Sequence, residues 1–201
     1  MRISGFLPVQ GFNFTHHVGR VCADMAARME EFRHIDMSLV AISFRQTRRP
    51  STRCPPRGLY ASLTPLRFAD GRTHLIRRGR KWRIQQVEVD GREMLYLLSF
   101  YLPRFLDLAF GEKLTTIAHE LLHIGPHFDG DLRRFPGRCY AHSHSHFQFD
   151  SHAKQLAERW LAGGPEQSLY AFLHMDFLKL QALHGGIYGR RIAAPKLFPA
   201  E

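Results

Sequence analysis

The residues best suited to chemistry are His119-Glu120-Leu121-Leu122-His123. In an α-helix, side chains four apart lie on one face, one turn from each other. His119 and His123 can therefore offer two imidazole nitrogens to one ion, and zinc takes such ligands in tetrahedral geometry. Glu120 follows the first ligand but sits round the helix, so its carboxylate reaches a metal-bound water rather than the metal. That is the arrangement of a general base in metal-assisted hydrolysis. The residues thus point to Zn2+ as cofactor, to His119 and His123 as ligands, and to Glu120 as the catalytic group.

A catalytic zinc needs a third protein ligand and one open position. The extended pattern H-E-x-x-H-x-x-G-x-x-H is not met, because Pro126 and Asp129 stand where it needs Gly and His. His127, Asp129 and Asp131 are close in sequence, but His127 would have to double back across a helix stop. The cluster His142-Ser143-His144-Ser145-His146, with Asp150 behind it, is better placed, since a loop of about twenty residues lets the chain return. Alternation in an extended segment puts its three imidazoles on one side. His144 is the favoured third ligand, with His146 and then His142 as alternatives. Tyr140, Arg133 and Arg134 are candidates to stabilise a tetrahedral oxyanion. Equally, Asp129, Asp131, Arg133 and Arg134 can pair among themselves and pin the loop.

These residues need a frame. Helical periodicity covers about His16 to Phe32, and again Glu112 to Ile124, where Leu114, Ile117, Ala118 and Leu121 form the inward stripe. Gly125-Pro126 reads as a C-cap glycine followed by proline. Met37–Phe44, Gly58–Phe68, Ile84–Val89 and Met94–Leu102 read as strands, with Pro65 marking an edge or a bulge. Asp70-Gly71 and Asp90-Gly91 are turn signals. Ser151–Leu161 and Pro165–Leu183 read as two later helices, broken by Gly163-Gly164. The order predicts an α+β fold, with the motif helix on a small mixed or antiparallel sheet and additional helices after it.

The stretch from Leu114 to Asp150, LTTIAHELLHIGPHFDGDLRRFPGRCYAHSHSHFQFD, resembles a group of phage and bacterial metallopeptidases distantly similar to the SprT-like and minigluzincin zinc proteases. Those families pair an H-E-x-x-H helix with a later histidine near an aromatic residue, at the start of a following helix. The resemblance maps onto His119, Glu120, His123 and a histidine of 142–146, ahead of Phe147 and Phe149. It implies one zincin-like metallopeptidase domain over residues 1–201, with 165–201 as a C-terminal helix and tail. It further implies a protein or peptide substrate.

Composition frames this reading. At 201 residues with 44% hydrophobic residues, the chain can bury a core of its own. Cys22, Cys54 and Cys139 are odd in number and show no C-x-x-C spacing, which argues against a disulfide framework or a cysteine zinc finger. The opening MRISGFLPVQGFNF makes a poor signal peptide, and no stretch has the length of a membrane span, so a cytoplasmic location and no membrane partner are expected. A formal charge of +10 favours polyanions. The basic segments 45–57 and 77–83, the latter with Trp82, are where contact with DNA is expected. The alternative reading is a nucleic-acid-associated protein whose zinc site is structural or vestigial.

Overall fold

The computed structural model describes residues 11–47, 59–135 and 146–200. Within them the chain is α+β. Helix α1 (Phe14–Arg28) is preceded by the two-residue strand β1 (Phe12–Asn13), and the Asn13 side chain caps it by accepting from His16 N. Phe14, Val18, Val21, Cys22 and Met25 recur at helical spacing and are fully buried. Burial pushes the Cys22 thiol up to about 12, so it packs as a small apolar residue.

The central sheet has the order β2 (Val40–Gln46), β8 (Tyr96–Leu102), β3 (Ala61–Pro65). β2 runs parallel to β8 and β3 antiparallel to it, so the sheet is mixed. Tyr96, Leu97, Leu98 and Phe100 are all inaccessible to solvent, because the strand is central and covered on both faces. β3 is an edge strand ending at Pro65, the residue that cannot donate to a further ladder. Residues 37–39 form a 3-10 turn capped by Asp36, so the strand expected from Met37 starts at Val40.

A second, smaller sheet has the order β10 (Leu197–Pro199), β5 (Arg80–Ile84), β4 (His74–Arg77), all antiparallel. The expected strand over Ile84–Val89 is not continuous. β5 ends at Ile84, and β6 (Glu88–Val89) begins a separate hairpin with β7 (Arg92–Glu93) around Asp90-Gly91. Both residues of that turn have positive φ, which a two-residue hairpin needs.

Helix α2 (Phe110–Leu122) packs against β3, α1 and α3 (His146–Ala162). The helix expected over Pro165–Leu183 is divided into α4 (Gln167–Tyr170), a 3-10 turn and α5 (Phe177–His184). The break falls where Asp176 caps α5 by accepting from Lys179 N at 2.8 Å. The tail beyond it is not loose: β9 (Ile187–Tyr188) runs parallel to β1, and β10 completes the small sheet. No helix among the described residues is long and apolar enough to cross a membrane.

Candidate metal centre

The buried stripe of α2 is Leu114, Ile117, Ala118 and Leu121, and it fixes the rotation of the helix. That rotation places Glu120 toward β3 and the two histidines toward α3. His119 Nε2 and His123 Nε2 are 3.0 Å apart, with the rings nearly perpendicular. Two nitrogens sharing a tetrahedral zinc at about 2.0–2.1 Å would stand roughly 3.3 Å from each other. The pair therefore suits one ion by donor type and by spacing.

The other nitrogen of His119 is also engaged. Nδ1 lies 2.9 Å from Oδ1 of Asp150, which reaches over from α3. A carboxylate on the far nitrogen holds the ring's tautomer and rotation and raises the basicity of Nε2. Phe149 supplies the second restraint from α3. Its ring stacks on His123 at 4.8 Å and meets His119 edge-on at 4.8 Å. Phe149 is itself buried and packs edge-on against Phe135.

Glu120 is buried, and its Oε2 accepts a 2.7 Å hydrogen bond from Leu63 N on β3. Burial pushes the carboxyl up to about 7, partly opposed by that hydrogen bond. A carboxyl poised there can take a proton and return it near neutral pH. In the antiparallel register, Ser62 and Thr64 turn their backbone groups to β8 while Leu63 turns outward, which frees its N–H for Glu120.

The segment after α2 turns back on the helix end. Ile124 forms an antiparallel bridge with Leu132. Arg133 donates from Nε to Leu122 O at 2.8 Å and from its backbone N to His123 O at 2.7 Å, taking up two carbonyls that the helix terminus leaves open. Gly125 does not adopt the left-handed conformation expected of a C-cap glycine. It is needed because a Cβ there would lie 2.8 Å from Asp131 O. Asp131 accepts a bidentate pair from Arg134 at 2.7 and 2.8 Å, together with backbone donors of Leu132 and Asp70. Tyr96 OH donates to Asp131 O, anchoring the loop to β8. Thus Asp131 and Arg134 pin the loop, and Arg133 braces the helix end. His127 is exposed, and Asp129 accepts from Asp131 N.

Tyr140, His142 and His144 lie outside the described residues, as do Cys54, Cys139 and most of the basic segment 45–57. His146 opens helix α3. Three groups escape a reading of the sequence. Asp150 was visible only as an acid behind the histidine cluster, not as the partner of His119. Phe149 was visible only as one of two aromatic residues after the histidine cluster, not as the ring that packs on His123 and His119. The Leu63 N–H is a backbone group, legible only through the edge position that Pro65 announces. Comparison of the chain with protein-family models, with curated proteins and with solved structures finds no match.

Proposed function

We propose that the chain is a zinc-dependent hydrolase that cleaves peptide bonds, with a zincin-like domain as its frame. The observation that carries this reading is the pair of Nε2 atoms of His119 and His123, 3.0 Å apart, beside a buried Glu120 carboxyl on the same helix. The donor set suits zinc. His119 and His123 would hold it, with a third imidazole from His142–His146. Zinc, when bound, supplies a Lewis acid for the scissile carbonyl and makes water a nucleophile at neutral pH.

Among the third-ligand candidates, His144 is favoured, because a loop of about twenty residues after His123 lets the chain return to the same ion. His146 and then His142 are the alternatives.

The chain's own groups divide the remaining work. Glu120 accepts the proton of the attacking water and passes it to the leaving amine, and burial gives its carboxyl the proton affinity for both steps. Asp150 and Phe149 keep the imidazoles in register. The outer edge of β3 runs beside Glu120 and pairs with no other strand among the described residues. Leu63 N–H is taken by Glu120 and Pro65 has none, so an extended peptide along this edge would pair mainly with its carbonyls, a mode open to a peptide and not to a small ester.

The test is metal analysis followed by digestion of a broad peptide library, with wild type and Glu120→Gln side by side. Wild type should carry one zinc and cut peptides. The variant should keep its zinc and the Leu63 hydrogen bond yet lose at least about a hundredfold in turnover. Equal turnover in the two proteins would remove Glu120 from the mechanism.

A further inference from the structure

We propose that the small sheet β4–β5–β10 is a binding face for single-stranded nucleic acid, independent of the zinc-site reading. Its hairpin carries five cations in seven residues: Arg77, Arg78, Arg80, Lys81 and Arg83. All five are exposed, and none makes an ion pair with a carboxylate among the described residues. The sequence explains why. There is no Asp or Glu from Arg72 to Val87, nor from Phe177 to Ala200, so neither the hairpin nor the strand that joins it brings an acid. Elsewhere on the molecule basic side chains do find partners, as Arg67 does with Glu93, Arg159 with Glu31 and Arg190 with Asp90.

Exposed cations at this density can displace the counterions condensed on a polyanion, and that release adds affinity. The turn at Arg78-Gly79 adds reach. Both residues have positive φ, 53° and 71°, which makes a tight two-residue hairpin and sets Arg77, Arg78 and Arg80 together at its tip.

Aromatic residues interleave with the charge. In the register of the sheet, His74, Arg83 and Phe198 share one face, with Ile76 and Lys81 beside them. The Arg83 guanidinium lies 4.6 Å over the Phe198 ring. Trp82 is half-buried on the opposite face, beside Leu75 and Pro199. Each face therefore offers cations next to a ring, the combination that grips a phosphate backbone while bases stack. The exposed apolar residues argue against a lipid surface as the occupant. Ile76 is 69% and Leu197 59% exposed, but they sit on opposite faces of the sheet and do not join into one patch.

The experiment is fluorescence anisotropy of the full chain with a labelled oligothymidylate, a labelled duplex of the same length, and vesicles of phosphatidylcholine with phosphatidylserine. The single strand should bind, quench Trp82 and release with salt, with a log–log slope of about −3.5 for five phosphate contacts. The triple variant Arg78→Glu, Arg80→Glu, Lys81→Glu should weaken binding by about 30-fold or more. The control Arg20→Glu, Arg33→Glu, Lys154→Glu carries the same change in net charge on other surfaces and should stay within about threefold of wild type. Should the first triple variant melt early, serine replacements at the same three positions are read in its place. Equal losses in both triple variants, a flat salt response, tighter binding to the duplex, or binding to vesicles alone would each overturn the proposal.

Discussion

Asp150 Oδ1 touches His119 Nδ1 at 2.9 Å while Nε2 of the same ring faces His123, so one imidazole joins helix α3 to the proposed metal position. The carboxylate is 61% exposed, and as an ion pair in water it would add little to folding. Its consequence lies in metal affinity, because it fixes the ring that presents Nε2. Asp150→Asn should lower zinc affinity by about 10- to 100-fold in a chelator competition while leaving the thermal midpoint of the zinc-free protein within a few degrees. Unaltered zinc affinity would reduce the pair to a surface contact.

The third ligand can be assigned by the same measurement. His144→Ala should cost zinc affinity by several orders of magnitude, since two imidazoles alone bind zinc weakly. His146→Ala and His142→Ala should each leave stoichiometric zinc. If His146→Ala is the variant that loses the metal, the return of the chain to the ion occurs two residues later.

Lys113 gives a prediction about folding. It is 2% exposed, and its Nζ donates to Leu173 O and Met175 O, each at 2.8 Å. Burial pulls its pKa down, opposed by Asp107 and Asp176. The ammonium ties the first turn of α2 to the break between α4 and α5, where carbonyls have no helical partner. Lys113→Met matches the stem but strands both carbonyls, and should cost about 2–4 kcal/mol in urea unfolding. A midpoint equal to wild type would show that water replaces the amine freely.

Asp131 predicts how the loop after α2 responds to acid. Burial pushes its carboxyl up, but the Arg134 fork and the N–H groups of Leu132 and Asp70 outweigh this and hold it below the ordinary range. A carboxyl with a depressed folded pKa contributes its stability above the unfolded value of about 3.9 and loses it as pH falls through the folded value. The melting advantage of wild type over Asp131→Asn should therefore be full at pH 6 and shrink progressively below pH 4. An advantage that stays constant down to pH 2.5 would mean that the carboxylate charge plays no part.

The elements around the motif were legible because each was set by local pattern. The stripe Leu114, Ile117, Ala118 and Leu121 specifies both the helix and its rotation, and MLYLLSFYL admits little but a central strand. Errors arose where a distant group decided the outcome. Gly125 reads as a cap from its neighbours, but Asp131 O, brought back by the Ile124–Leu132 bridge, is what requires it. Pro165–Leu183 carries a helical pattern, yet Asp176 finds its own role as a cap, and Lys113 takes up the carbonyls that the break exposes. The tail offers no periodicity, since β9 and β10 are too short to show any, and their partners β1 and β5 lie far away in sequence. Within the site, the motif on α2 was plain, while the contacts of Asp150, Phe149 and Leu63 belong to other elements and exist only in three dimensions.

The parallel pairing of β1 with β9 also bears on how the molecule is made. Phe12 and Asn13 leave the ribosome long before Ile187 and Tyr188, and β5 likewise waits for β10. Until those late residues emerge, the start of α1 lacks its neighbour and β5 has an unpaired edge. During synthesis the nascent chain therefore carries a basic, open hairpin until residues 187–199 emerge and pair with β1 and β5.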